Sequence, residues 1–179
     1  MSAVTLYTTT VPLLQRGLTT LSAIVDKAEA YAKEKGTPVS ELLEARLIED
    51  MLPFTFQVFI VTDIAHKVVR RVLGEEPESW GRDELATLEG IRARIAATHE
   101  ILAGADAAKF NADPDTVVPL GVGGGKTLQV PAFGYIQGYG LPTFFFHLQT
   151  AYAILRMKGV PLGKSDYIAP FMEPFKPKE

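Results

Sequence analysis

A chain of 179 residues is long enough to bury a real core and reads most simply as one domain. With 47% hydrophobic and 22% charged residues it has a globular balance, and a net charge of −3 gives no electrostatic reason to expect nucleic acid, whose binders usually show a basic stripe. The absence of cysteine excludes disulfides, thiolate catalysis and cysteine-ligated metals, so His, Asp and Glu are left as metal-ligating side chains.

The start of the chain carries no basic segment followed by an apolar core, and no apolar run approaches the ~18 residues of a membrane span. A cytoplasmic protein with neither membrane nor nucleic acid among its partners is the expectation. In chain order, Thr10 is placed to cap a first helix that accepts Pro12 in its early turn. Leu14, Leu18, Leu21, Val25, Ala28 and Ala32 then recur at helical spacing, and Gly36 stops the run. A short helical piece over 39–48 leads to a second long helix beginning near Asp50, with Pro53 in its first turn and Gly74 past its end. Phe54, Val58, Val61, Ile64, Val68 and Val72 form its buried stripe, and Gln57 interrupts that stripe with an amide. Residues 75–81 read as a loop from which Trp80 packs back over helix ends. Asp83 is the expected cap of a third helix closed by Gly104.

The period then changes. Thr116-Val117-Val118 and Thr127-Leu128-Gln129-Val130, separated by a glycine-rich run, predict a β-hairpin over about 115–131. From Ala132 the chain turns helical again through Gly159, with a kink expected near Gly138, Gly140 and Pro142. A coil over 160–167 and a frayed tail over 170–179 complete a single domain spanning 1–179. The glycine-rich run does not make a phosphate loop, because Leu120 stands where the GxxxxGK[ST] spacing requires glycine.

The last helix has apolar residues on nearly every side, the pattern of a helix buried by several neighbours, and His147 sits within it. A buried imidazole must find a partner, since an unpaired polar group in a dry interior costs roughly 1–3 kcal/mol. It serves either as a register-fixing structural residue or as an acid/base or ligand at the bottom of a pocket. Asp50, Gln57 and Asp63 are the polar groups of the second helix able to meet it. His66, beside Lys67, Arg70 and Arg71, reads as part of a solvated basic face, or as a partner of Asp63 one turn away; His99 reads as a boundary residue. No HxxxH or HExxH pair occurs, so no residue is assigned to a metal. Phe54, Phe144 and Tyr152 belong to an aromatic surface sufficient for a plain core, an apolar pocket or a dimer seam. With Gln57 and Asp63 they are the candidate ligand-binding residues, for a small apolar or aromatic molecule.

The run from Leu141-Pro142-Thr143-Phe144-Phe145-Phe146-His147 through Thr150-Ala151-Tyr152-Ala153-Ile154-Leu155-Arg156 to Gly159-Val160-Pro161-Leu162-Gly163-Lys164-Ser165-Asp166-Tyr167 resembles an uncharacterised domain-of-unknown-function family. Tyr7, Val11-Pro12, Ala45-Arg46-Leu47, Asp50-Met51 and Pro53 agree with it, so the resemblance spans nearly the whole chain. That family is similar to the DinB-like superfamily, which implies an all-α four-helix bundle with a short β-hairpin before the last helix. Many DinB-like proteins hold a divalent metal with three histidines, so a divalent metal is the one cofactor the resemblance brings into view. Gly138 stands where relatives often carry a histidine nine residues before the one matching His147. His147 and Asp50 are the residues that still match, and they are the candidate catalytic pair. The expectation is therefore a small-molecule-binding bundle, in one form an enzyme using His147 as acid/base between the second and fourth long helices. The alternatives are a non-catalytic homodimer held by its aromatic surface, and a divalent-metal-dependent enzyme of the DinB type.

Overall fold

The computed structural model describes residues 4–175. In chain order its helices are α1 (Val11–Lys35), α2 (Ser40–Leu43), α3 (Phe54–Val72), α4 (Leu88–Ala103), α5 (Ala107–Phe110), α6 (Ala132–Tyr135), α7 (Leu141–Met157) and α8 (Lys164–Met172). Strands β1 (Val117–Gly121) and β2 (Thr127–Pro131) stand between α5 and α6. The long helices α1, α3, α4 and α7 form the bundle: α1 packs against α4 and α7, and α3 packs against the same two from across the core. Among the described residues no helix is long and apolar enough to cross a membrane.

The stripes read from the sequence are the core. Leu14, Leu18 and Leu21 of α1, Phe54, Val58 and Val61 of α3, and Phe144, Leu148 and Ile154 of α7 are all fully buried. Two glycines set how closely the helices approach. A Cβ on Gly17 would overlap the ring of Phe144, so α7 lies with an aromatic side chain directly on the α1 backbone. A Cβ on Gly140 would sit 2.7 Å from Cγ2 of Val68, which brings the start of α7 equally close to α3. The kink expected here takes the form of one wide turn, Ile136–Gly140, joining α6 to α7.

The hairpin is antiparallel, with Val117 opposite Pro131 and Gly121 opposite Thr127. Its tip is turned by Gly123, Gly124 and Gly125, at φ of 85°, 57° and 72°, where a side chain would be strained.

Other boundaries differ from expectation. The second long helix begins at Phe54 rather than near Asp50, because Pro53 is extended (φ −69°, ψ 173°) and the Phe54 N–H bonds back to the Ala45 carbonyl at 2.9 Å. A proline also disfavours helical geometry in the residue before it. The third helix begins at Leu88, capped by the Thr87 hydroxyl, which accepts from the Gly90 N–H at 3.1 Å; Asp83 starts a separate single turn, Asp83–Ala86. The segment expected to be coil and then frayed is α8, followed by the turn Glu173–Phe175, while 176–179 lie outside the described residues. Asp166 starts α8 by accepting from the Gly163 N–H at 2.8 Å and pairing with Lys27 at 2.7 Å. The hydroxyl of Thr20 on α1 donates to the Tyr167 carbonyl at 2.9 Å, and Phe171 packs beside Phe145. These contacts hold α8 along α1 despite Pro170 in its interior.

Candidate functional site

α3 and α7 run together so that position 57 of one faces position 147 of the other. The His147 Nδ1 and the Gln57 Oε1 lie 2.7 Å apart. The orientation of this amide is determined by its other end: Gln57 Nε2 donates to the carbonyls of Leu52 at 2.9 Å and Pro53 at 3.3 Å. The nitrogen must be the donor there, so the oxygen faces the imidazole and Nδ1 must carry the hydrogen. Nε2 is thereby the unprotonated nitrogen. It has no partner among the described residues and reaches solvent, since it is not one of the buried unpaired atoms. Burial lowers the His147 pKa, and no nearby carboxylate reverses that shift. At neutral pH the ring is a neutral base with one nitrogen held and one open.

The surroundings of this pair are apolar and partly uncovered. The ring of Phe146 lies 5.1 Å from that of His147 and is 61% exposed, and Phe56 approaches from α3 at 6.1 Å. Phe56 also forms one wall of a cavity of about 230 Å³ completed by Leu52, Pro53, Thr55, Arg82 and Asp83. The Arg82 guanidinium lies 5.8 Å from the centre of the Phe56 ring and 5.9 Å from that of Phe59. Exposed Leu47, Ile48 and Leu52 precede α3 on the adjoining loop. This contrasts with the expectation that α7 is buried on nearly every side; its buried side is Phe144, Leu148, Ala151, Ile154 and Leu155.

The remaining candidates are not brought to His147. Asp50 is exposed on the loop before α3, because Pro53 delays the helix. Phe54 and Phe144 are fully buried core residues with no opening to solvent. Tyr152 packs edge-on against Tyr167 at 5.9 Å, so its ring serves the α7–α8 contact. Asp63 pairs with Lys67 at 2.6 Å rather than with His66, and it lines a separate cavity of about 180 Å³ beside Arg71, Leu120 and Tyr139. His66 is not part of a solvated face: it is fully buried, and Trp80 stacks on it with ring centres 4.2 Å apart and planes at 15°. Trp80 therefore covers the middle of α3 rather than helix ends. His99 is half-buried, and burial lowers its pKa.

The donor set does not fit a divalent metal. His147 offers one open imidazole nitrogen, its neighbour Gln57 has its amide engaged at both ends, and position 138 is a glycine. No group of three or more His, Asp or Glu side chains arranged to hold an ion occurs among the described residues.

The bundle, its inserted hairpin and the α3–α7 seam define a DinB-like helical protein. A solved DinB family member protein from Shewanella denitrificans superimposes with a TM-score of 0.82 at 35% identity, over 91% of this chain and 91% of that one. Residues 6–168 match the family described as Domain of unknown function (DUF1993), and the chain belongs to it. No curated protein matches.

Proposed function

We propose that the His147–Gln57 pair is the working centre of a small-molecule site on the α3–α7 seam, with a small apolar or aromatic molecule held against Phe56 and Phe146. The observation that carries this reading is the doubly anchored amide of Gln57. It fixes the tautomer of the histidine and leaves Nε2, the basic nitrogen, open. In a reaction at this site His147 Nε2 accepts a proton, Nδ1–H stays on Gln57, and the protonated ring returns the proton to the departing or rearranged group. Asp50 has no place in this chemistry. Gln57 takes the orienting part, and as a neutral amide it leaves the lowered pKa of His147 uncorrected.

The test is native mass spectrometry of gently purified wild-type protein and of His147→Gln, with elemental analysis of the same samples. A small organic molecule retained by the wild type and lost from the variant is expected. Equal retention by both, a stoichiometric metal, or wild-type protein that carries nothing overturns the assignment. A second reading, a non-catalytic homodimer, is favoured by Ile48 at 62% and Phe146 at 61% exposure beside Leu47 and Leu52, an apolar surface that a second copy would cover.

A further inference from the structure

The cavity of about 180 Å³ that Asp63 lines is distinct from the His147 face, although it lies on the same α3–α7 seam. Ile60, Asp63, Ile64, Lys67 and Arg71 reach it from one face of α3, at the three- and four-residue spacing that sets side chains one above another. Tyr139, presented by the wide turn Ile136–Gly140, and Thr143 close the α7 side, while β1 contributes Leu120 and Gly121.

Three charged groups meet there, and two of them are left partly unbonded. Asp63 is only 8% exposed, and its Oδ2 accepts from Lys67 Nζ at 2.6 Å. Its Oδ1 has no hydrogen bond among the described residues, yet it is not one of the unpaired atoms shut off from solvent, so it opens on the cavity that the side chain lines. Arg71 donates through Nη1 to the Tyr135 hydroxyl at 3.0 Å, and its Nε is enclosed and takes no part. Nη2 is accessible and unbonded, and no carboxylate pairs with Arg71 among the described residues. Two cations against one carboxylate leave one positive charge in excess, which selects an anion. The open Oδ1 asks that the same anion carry a donor, because a bare carboxylate would meet it charge against charge. An α-amino acid supplies that donor as an ammonium but leaves the excess charge in place, whereas a hydroxyl supplies it without charge. Ile60, Ile64 and Leu120 add an apolar wall that an inorganic oxyanion does not use. At ~30 Å³ per water-sized unit the space takes about six such units, the size of an acid of about four carbons.

We propose that this cavity binds a short-chain 2-hydroxycarboxylate. Its carboxylate accepts from Lys67 Nζ and Arg71 Nη2, its hydroxyl donates to Asp63 Oδ1, and its alkyl end lies on Ile60, Ile64 and Leu120. Neither His147 nor Gln57 takes part, so the site does not depend on the reading given to that pair.

The test is two-dimensional amide NMR of the 179-residue chain, titrated at constant pH with racemic 2-hydroxybutyrate. Butyrate, which lacks the hydroxyl, 2-aminobutyrate, which carries an ammonium in its place, and inorganic phosphate are titrated in parallel. Saturable shifts with 2-hydroxybutyrate, centred on the amides of 60–71, 120–121 and 139–143, are expected, with each of the other probes at least about tenfold weaker. Arg71→Met keeps the apolar stem and removes the charge, so it should weaken 2-hydroxybutyrate at least about tenfold while the rest of the spectrum stays dispersed. Asp63→Asn removes the charge that opposes a bare carboxylate, so the preference for 2-hydroxybutyrate over butyrate should narrow. The comparison of probes on the wild type decides even if a variant fails to fold. The proposal is overturned if butyrate, 2-aminobutyrate or phosphate binds as tightly as 2-hydroxybutyrate, if a folded Arg71→Met binds normally, if Asp63→Asn leaves the preference unchanged, if the shifts centre elsewhere, or if 2-hydroxybutyrate does not saturate by about 10 mM.

Discussion

Buried imidazoles give this molecule a definite response to acid. Burial is the leading cause that lowers the pKa of His66, His99 and His147, and at His66 it outweighs the nearby Asp63 carboxylate. Unfolded imidazoles titrate at about 6.5. Below that pH the unfolded chain binds protons that the folded chain refuses, so stability falls as pH drops from about 6.5 through the lowered folded values. Above pH ~7 both states are neutral at these positions and the contribution is flat. Urea midpoints measured across this range are expected to be level near pH 8 and to decline below 6.5, before most carboxylates titrate. His66 has both ring nitrogens buried without a partner. His66→Phe keeps an aromatic ring under Trp80 and removes both orphan atoms, so it should shallow the decline without loss of stability at pH 8. An unchanged slope would mean that His66 does not contribute. At this scale the sequence was readable in part. Gln57 declares itself as an amide on an apolar stripe, whereas Asp50 enters through the family resemblance and through a helix start placed before Pro53. His66 was hidden by Lys67, Arg70 and Arg71, basic neighbours that suggested a wet face. Its cover comes from Trp80, fourteen positions away across a loop, which no periodicity encodes.

Between elements, the close approach of α1 and α7 is the most exacting packing feature. Gly17→Ala would ordinarily favour a helix by up to ~1 kcal/mol. Here the added methyl meets the fully buried Phe144 ring, and overpacking of this kind costs about 1–3 kcal/mol, so a net loss of stability is expected in thermal melts. A variant as stable as the wild type would show that Phe144 can move aside. The four long helices and the hairpin were legible because each obeys a strong local rule, a 3.6-residue stripe or a glycine-rich turn between β-prone runs. α8 was not. Pro170 and the glycine and proline that precede it argue for coil locally, and the helix exists because Tyr167 and Phe171 pack against α7 while Lys27 of α1 pairs with Asp166. The π turn before α7 shows the same limit, since the position of Gly140 against Val68 is a tertiary fact.

For the whole molecule, the open question at the His147 face is what covers its apolar rim. Sedimentation equilibrium of the wild type and of Ile48→Lys/Phe146→Lys separates the two readings. The homodimer reading expects a wild-type dimer that the paired lysines dissociate, and a monomer in both samples overturns it. The hydrogen bond that joins Thr20 to Tyr167 spans 147 positions of chain. During synthesis at ~5–20 residues per second, the apolar stripe of α1 therefore emerges on the order of ten seconds before the helix that finally lies along it. Until then α1 has only α3 and α4 to pack against, and α7 and α8 close the bundle only as they leave the ribosome.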